Sequence, residues 1–317
     1  MTRFQKIRIN LLVIILLSMS LVNCNRNVCK ITNDKLKETI ALGTKAKTLD
    51  IQNSDIECLP AQIRKLKNLK SILLKSNKLT TLPKQIGRLK KVTWLSVMCN
   101  QISYVPYEIG NMESLKTLDF DMCKLTTVPR TIGKLSKLEY FNLDDNDIYI
   151  LPIEIGKLKS LNELYLLGNR HLNVKDLLVK IQNLPHLDKL YLSEIGMKEL
   201  PVEIGLVKSL KKLYLSSNQL KQIPIEVANL QNLEYINLGN NPDLDFASTC
   251  IILSKITTLK RIYFGNNHLK SLPKEIELLG NIETLFLVDN HFDKNEIEKL
   301  KSRLPNVKLE FEGYTQR

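Results

Sequence analysis

Tyrosine stands at Tyr165, Tyr191, Tyr214 and Tyr263, Phe286 follows, and further rings occur at Trp94, Tyr140 and Tyr235. Rings of this kind anchor protein interfaces, because each offers a large apolar area with a polar handle. They also pack well on pleated sheets without any partner. Beside the first tyrosines runs a file of acids, Asp119, Asp121, Glu139, Asp144, Asp145 and Glu163. That file suits the basic side chains of a partner or, as a second reading, Ca²⁺; a solvated charge cluster is the plain alternative.

Other chemistry is sparse. No nucleophile elbow, Walker loop, dinucleotide fingerprint, CxxC pair or HExxH occurs, so neither an enzyme nor a cofactor is expected. Of four histidines, His268 and His291 hold equivalent places with Asp289 near, but two ligands on a turn make a weak metal site, and ordinary turn residues fit as well.

The elements that would position these residues come from a repeat. The stretch KLTTLPKQIGRLKK (Lys78 to Lys91) returns as KLTTVPRTIGKLSK (Lys124 to Lys137), two steps of 23 residues later. The unit LxxLxLxxNxLxxLPxxIxxLxx starts at 46, 69, 92, 115, 138, 161, 187, 210, 233, 259 and 282, and a last partial strand falls near Leu309 and Phe311. The LxL alternation predicts a short strand with its leucines inward, and the proline of LP predicts extended, unpaired backbone opposite. Asn occupies the ninth place in eight units, from Asn77 to Asn290, where its amide can both donate to and accept from turn backbone. Ser54 and Cys123 are polar stand-ins, and Ile195 cannot bond, which predicts an irregular turn after Leu192. One unit buries about seven apolar side chains at roughly 2 kcal/mol each, against an ordering cost of about 1–2 kcal/mol for every residue. It cannot fold alone, so the units must stack on a shared core as a parallel-sheet solenoid.

The units starting at Leu161, Leu233 and Ile282 are longer and lack LP at its usual place; Leu177, Leu178 and Ile181, or Ile297, Leu300 and Leu304, recur at helical spacing. Short helices are expected there, with extended or 3₁₀ backbone elsewhere. The pattern resembles the leucine-rich repeat family, specifically the 23-residue class with the LPxxIGxL segment, over residues 46 to about 305. The resemblance implies an α/β arc with a parallel sheet on the concave side, used to bind partners. The fifth place of each strand (Asp50, Leu73, Ser96, Asp119, Asn142, Tyr165, Tyr191, Tyr214, Asn237, Tyr263, Phe286) is expected to face solvent, joined by Trp94, Tyr140 and Tyr235 from the third place. Asp121 and Asp144 should then face each other at about 5 Å, with Lys116 answering part of their charge.

Residues 1–23 carry Arg3, Lys6 and Arg8 before an apolar run from Leu11 to Leu17, the form of a secretory signal. Leu21-Val22-Asn23-Cys24 resembles a bacterial lipobox with Cys24 as the lipidated residue, although Asn23 departs from the usual small residue; simple secretion and an uncleaved anchor are the alternatives. Residues 24–45 are expected to form a helical cap with Asn33 as N-cap, and 306–317 a last strand and tail. Six cysteines in an exported chain invite disulfides, yet only a Cys29–Cys58 link is worth testing. The net charge is +13, about +10 without the signal, and favours anionic lipid or polymer but not nucleic acid. The expected function is an exported, lipid-anchored, monomeric repeat protein that binds a protein partner through its concave face. The alternative is an envelope protein adhering to anionic polymer or lipid through its convex lysines.

Overall fold

The computed structural model describes Cys29 and residues 31–312. The expected signal segment 1–23, Cys24 and the tail from 313 lie outside the described residues. Every repeat lies in one unit, Ile31–Arg317.

Each LxL run forms a three-residue strand. The first six are β1 (Thr48–Asp50), β2 (Ser71–Leu73), β3 (Trp94–Ser96), β4 (Thr117–Asp119), β5 (Tyr140–Asn142) and β6 (Glu163–Tyr165). The rest are β7 (Lys189–Tyr191), β8 (Lys212–Tyr214), β9 (Tyr235–Asn237), β10 (Arg261–Tyr263), β11 (Thr284–Phe286) and β12 (Lys308–Glu310). They pair in chain order into one twelve-stranded parallel sheet, so the fold is the expected solenoid. Register is strict: Tyr165 pairs with Tyr191 and Tyr191 with Tyr214, so equal places of successive units form files across the sheet. The middle residue of every strand from β1 to β11 is fully buried, and these side chains belong to one continuous core.

On the opposite side each proline that follows the strand turn caps a short 3₁₀ turn, as Pro106 does for Tyr107–Asn111. The IG pair explains how tightly these turns stack. A Cβ on Gly205 would sit 2.6 Å from the Glu226 carbonyl oxygen of the next unit, so only glycine fits. In the three longer units the turn becomes a helix: α2 (Val174–Ile181), α3 (Phe246–Leu253) and α4 (Lys294–Arg303). Each has an Asn or Asp N-cap, Asn173, Asp245 or Asp293, whose side chain accepts from the first turn's N–H groups. The first coil is closed by α1 (Asp34–Leu42), where Asn33 accepts from the Leu36 N–H and Leu36 enters the core.

The ninth-place asparagines tie coil to coil. Asn146 Oδ1 accepts from the Leu125 N–H of the preceding unit at 2.8 Å, and its Nδ2 donates to the Phe120 and Leu143 carbonyls at 2.8 and 3.1 Å. Cys123 substitutes one weak bond, from Sγ to the Val97 carbonyl at 3.5 Å. At Ile195, which is buried, the sheet pairing continues from β6 through β7 to β8 without a break, and the local adjustment is a positive φ of 77° at Gly196.

One rule of the repeat was not legible beforehand. The eighth place of all eleven units has φ between +49° and +75°, in residues as different as Cys99, Met122, Asp145 and Glu194. Gly168 suits it intrinsically, and so do the short polar side chains of Asn53, Asp145, Asn240, Asn266 and Asp289; at residues such as Met122 and Glu194 the left-handed conformation costs about 1 kcal/mol or more and is held by the N–H bond to the Asp144 or Ser216 carbonyl of the next coil.

Candidate functional site

The face of the sheet turned away from the core presents the third and fifth residues of each unit and, just past the strand, the seventh. Parallel register brings equal places to a separation of about 4.8 Å, the right distance for ring stacking. The rings of Tyr165 and Tyr191 lie 4.0 Å apart and 11° from parallel, and those of Tyr191 and Tyr214 4.1 Å and 8°. Tyr140 tilts onto Tyr165 at 4.8 Å, and Tyr235 onto Tyr214 at 5.2 Å. Five tyrosines from β5 to β9 thus form one unbroken ladder. A second group, Tyr263 and Phe286, stacks at 6.0 Å on β10 and β11.

The ladder corrects the expectation that these side chains stand free in solvent. Tyr235 is 5% exposed, packed against Tyr214 with the Arg261 guanidinium 5.9 Å from its ring centre. Ser96, Asn142 and Asn237 are buried too, because bulky neighbours close over short side chains at the same level. Asn142 bonds as well as being covered, its Oδ1 accepting the Asp144 N–H at 2.8 Å. Trp94 remains half exposed. Tyr263 also has a reason to lie flat that the repeat letters hide: a Cβ on Gly239 or Gly265 would meet its ring at 2.7 or 2.6 Å, so two seventh-place glycines make its slot.

Polar groups brace the ladder at one end. The Tyr165 hydroxyl donates to Glu163 Oε2 at 2.5 Å, and Lys189 Nζ donates to Glu163 Oε1 at 2.8 Å. Burial and that bond to Glu163 hold the Tyr165 hydroxyl far above the usual phenol range. Burial, with Asp119 next, pushes Tyr140 up to about 12. Tyr140, Tyr165, Tyr191 and Tyr214, all shifted upward, are therefore neutral at physiological pH, apolar faces with hydroxyl tips. A polar cleft of about 520 Å³, lined by Thr117, Glu139, Tyr140, Ser160, Asn162, Glu163 and His186, opens beside Tyr140.

The acids gather next to the ladder, and their charges are poorly answered. Asp119 Oδ2 accepts from Ser96 and its Oδ1 from the Asp121 N–H; Asp144 Oδ1 accepts from the Leu167 N–H at 2.7 Å. Burial first, then Asp119 and Asp145, pushes Asp121 up to about 6. Burial first, then Asp121, Asp145 and Asp119, against the bond from Leu167, pushes Asp144 up to about 7. Lys116 does not answer the charge of Asp121 and Asp144 as expected. Its ammonium pairs with Glu139 at 2.7 Å, one strand spacing along the third-place side of the sheet, which is as far as its side chain needs to reach.

His268 and His291 stack with ring centres 5.5 Å apart and 12° from parallel. Among the described residues no group of three or more His, Cys, Asp or Glu is placed to hold a metal ion. Cys29 and Cys58 are each disulfide-bonded. Cys99, Cys123 and Cys250 are free thiols, and burial pushes Cys123 and Cys250 each up to about 12.

Fold and face together are those of a repeat protein whose sheet is lined by selected side chains. A leucine-rich repeat region model matches residues 94–178, and a model of two leucine-rich repeats matches residues 208–248. The chain thus contains leucine-rich repeats, and its twelve-stranded sheet is the one such repeats build. Among solved structures it is similar to the functional domain of InlJ from Listeria monocytogenes, at 20% identity and a TM-score of 0.61, over 85% of this chain and 54% of that one. The ectodomain of the Arabidopsis thaliana receptor kinase GASSHO1/SCHENGEN3, solved in complex with CASPARIAN STRIP INTEGRITY FACTOR 2, is 24% identical over 83% of this chain and 37% of that one, with a TM-score of 0.51. A leucine-rich repeat protein of Leptospira interrogans is 28% identical over 89% of this chain and 87% of that one, with a TM-score of 0.46. No curated protein sequence matches the chain significantly.

Proposed function

We propose that this protein is an exported, non-enzymatic binding scaffold, anchored to a membrane through lipid on Cys24, that holds a protein partner on the exposed face of its sheet. The observation that carries the reading is the tyrosine ladder: repeat geometry demands no ring at the third or fifth place, yet five consecutive strands supply rings in contact, the middle three of them stacked. Stacking fixes the rings in advance, so a partner that covers them orders few side chains on binding. The use of leucine-rich repeats as protein-binding surfaces supports the reading, and so does a related ectodomain solved with a bound factor.

A second reading rests on the net charge of +13: an envelope protein that adheres to anionic polymer or lipid through lysines such as Lys67, Lys90 and Lys91. Of these, Lys90 is paired with Glu113 and Lys91 bonds to Asn68, both across neighbouring coils.

The test is a paired capture. The purified chain and its Tyr165→Ala/Tyr191→Ala/Tyr214→Ala variant, each checked for folding by circular dichroism, are incubated with envelope extracts and host extracellular material. The reading expects a protein retained by the parent and lost by the variant. Equal retention by both would remove the tyrosine face from the function.

A further inference from the structure

Charge on the sheet face is segregated. The third, fifth and seventh places of the units of β4, β5 and β6 carry Asp119, Asp121, Asp144 and Glu163 and no base. The same places from β7 to β11 carry Lys189, Lys212 and Arg261 and no acid. Glu163 and Lys189 meet at the junction and neutralise one another at 2.8 Å. What is left is an acidic end at Asp119, Asp121 and Asp144, a basic end at Lys212 and Arg261, and the tyrosine ladder between them. The chain as a whole is strongly basic, so the acidic end is an exception to its surroundings. A basic group approaching from solution is repelled by most of the molecule and drawn to that one end.

We infer that the partner segment seated on this face is an extended stretch of polypeptide with Lys or Arg at one end, an aromatic or aliphatic middle, and Asp or Glu at the other. The inference rests on the proposed protein-binding role and adds the chemistry and direction of the occupant. Length follows from the sheet. Four strand spacings, about 19 Å at ~4.8 Å each, and four residues along the strand, about 13 Å, separate Asp121, after β4, from Lys212 on β8, roughly 23 Å in all. An extended chain covers that distance in about seven residues. Its apolar middle lies on the ladder, where desolvation is most favourable, and its two charged ends meet groups of opposite sign.

The aspartates have a proton equilibrium of their own. Around Asp121 and Asp144 stand Asp119 on β4, Asp145 after β5, Tyr140 on β5 and, from the side of β2, Lys75. Among them only Lys75 is basic, so a bound lysine or arginine becomes the main cation of the cluster and draws both aspartates toward the ionised form. Binding is therefore linked to proton release, and affinity falls as pH drops from 8 toward 5.

A random-peptide library displayed on phage is panned on the full chain at pH 7.5. Recovered peptides are titrated against the parent, an acid-end variant (Asp121→Asn/Asp144→Asn), a basic-end variant (Lys212→Glu/Arg261→Glu) and the triple tyrosine variant. The inference expects basic and acidic clusters about seven residues apart in the recovered peptides, with affinity about tenfold lower or worse in either charge variant. Peptides without segregated charge, indifference to both charge variants, or no recovery would overturn it. If peptides bind through the tyrosines but ignore the charge variants, the binding role stands and this inference alone falls. If they ignore the tyrosines as well, both fall.

Discussion

The ring of Tyr191 lies 4.0 Å from that of Tyr165 and 4.1 Å from that of Tyr214, nearly parallel to both. Three side chains from three coils thus make a single slab, and the slab contributes to stability as well as to recognition. Aromatic pairs are worth about 0.5–1.5 kcal/mol beyond their buried area. Tyr191→Ala removes two such pairs and is expected to lower unfolding stability by about 1–3 kcal/mol in urea titrations. A variant as stable as the parent would mean that the rings do not stack in solution.

Asn146 and Asn142 are a second pair to compare. The Asn146 amide serves the Leu125 N–H and the Phe120 and Leu143 carbonyls in the core, whereas Asn142 serves the Asp144 N–H at the surface of the sheet. Leaving buried groups unpaired costs about 1–3 kcal/mol each. Asn146→Leu should therefore cost about 2–4 kcal/mol and Asn142→Leu about 1 kcal/mol. The same chemical melt on both variants decides it, and the reverse order would break the account of the coil-to-coil bonds.

Proton linkage gives a prediction with a definite sign. Asp121 and Asp144 bind protons more tightly folded than unfolded, with values of about 6 and about 7. Their contribution to stability is fully present below the unfolded carboxylate value and is lost as pH rises through 6 and 7. The melting temperature of Asp144→Asn should accordingly exceed that of the parent at pH 8 and approach it at pH 5. A constant difference at both pH values would show that Asp144 does not titrate in this range.

The free thiols differ in access. Cys99 is partly exposed while Cys123 and Cys250 are buried with thiols pushed up to about 12. Iodoacetamide on the native chain should label Cys99 and spare the other two, as read by peptide mass mapping; rapid labelling of Cys123 would show that the turn it closes is open.

Much of this architecture was written in the letters. The LxL alternation, the ninth-place asparagine and the helical spacing of Leu177, Leu178 and Ile181 each state a local rule with a period, and a period survives translation into structure. What escaped were properties of neighbours across coils. Nothing at Tyr235 says that Tyr214 and Arg261 will cover it, and nothing at Gly239 or Gly265 says that Tyr263 needs their missing Cβ. Lys116 was matched to the wrong acid because sequence position fixes the file but not the direction in which a long side chain turns. The positive φ at the eighth place was invisible for a related reason: residues such as Met122 and Glu194 do not choose it, and the N–H bond each makes to the next coil holds it.

The central claim is that the tyrosine face, not the basic surface, holds the partner. The direct measurement is a binding titration of the captured protein at low and at high salt, with the parent, the triple tyrosine variant and a Lys67→Gln/Lys90→Gln/Lys91→Gln variant. The account predicts that the tyrosine changes weaken binding by about 2 kcal/mol or more at both salt concentrations while the lysine changes leave it nearly intact. Unchanged affinity in the tyrosine variant, with binding that collapses in high salt and in the lysine variant, would contradict it.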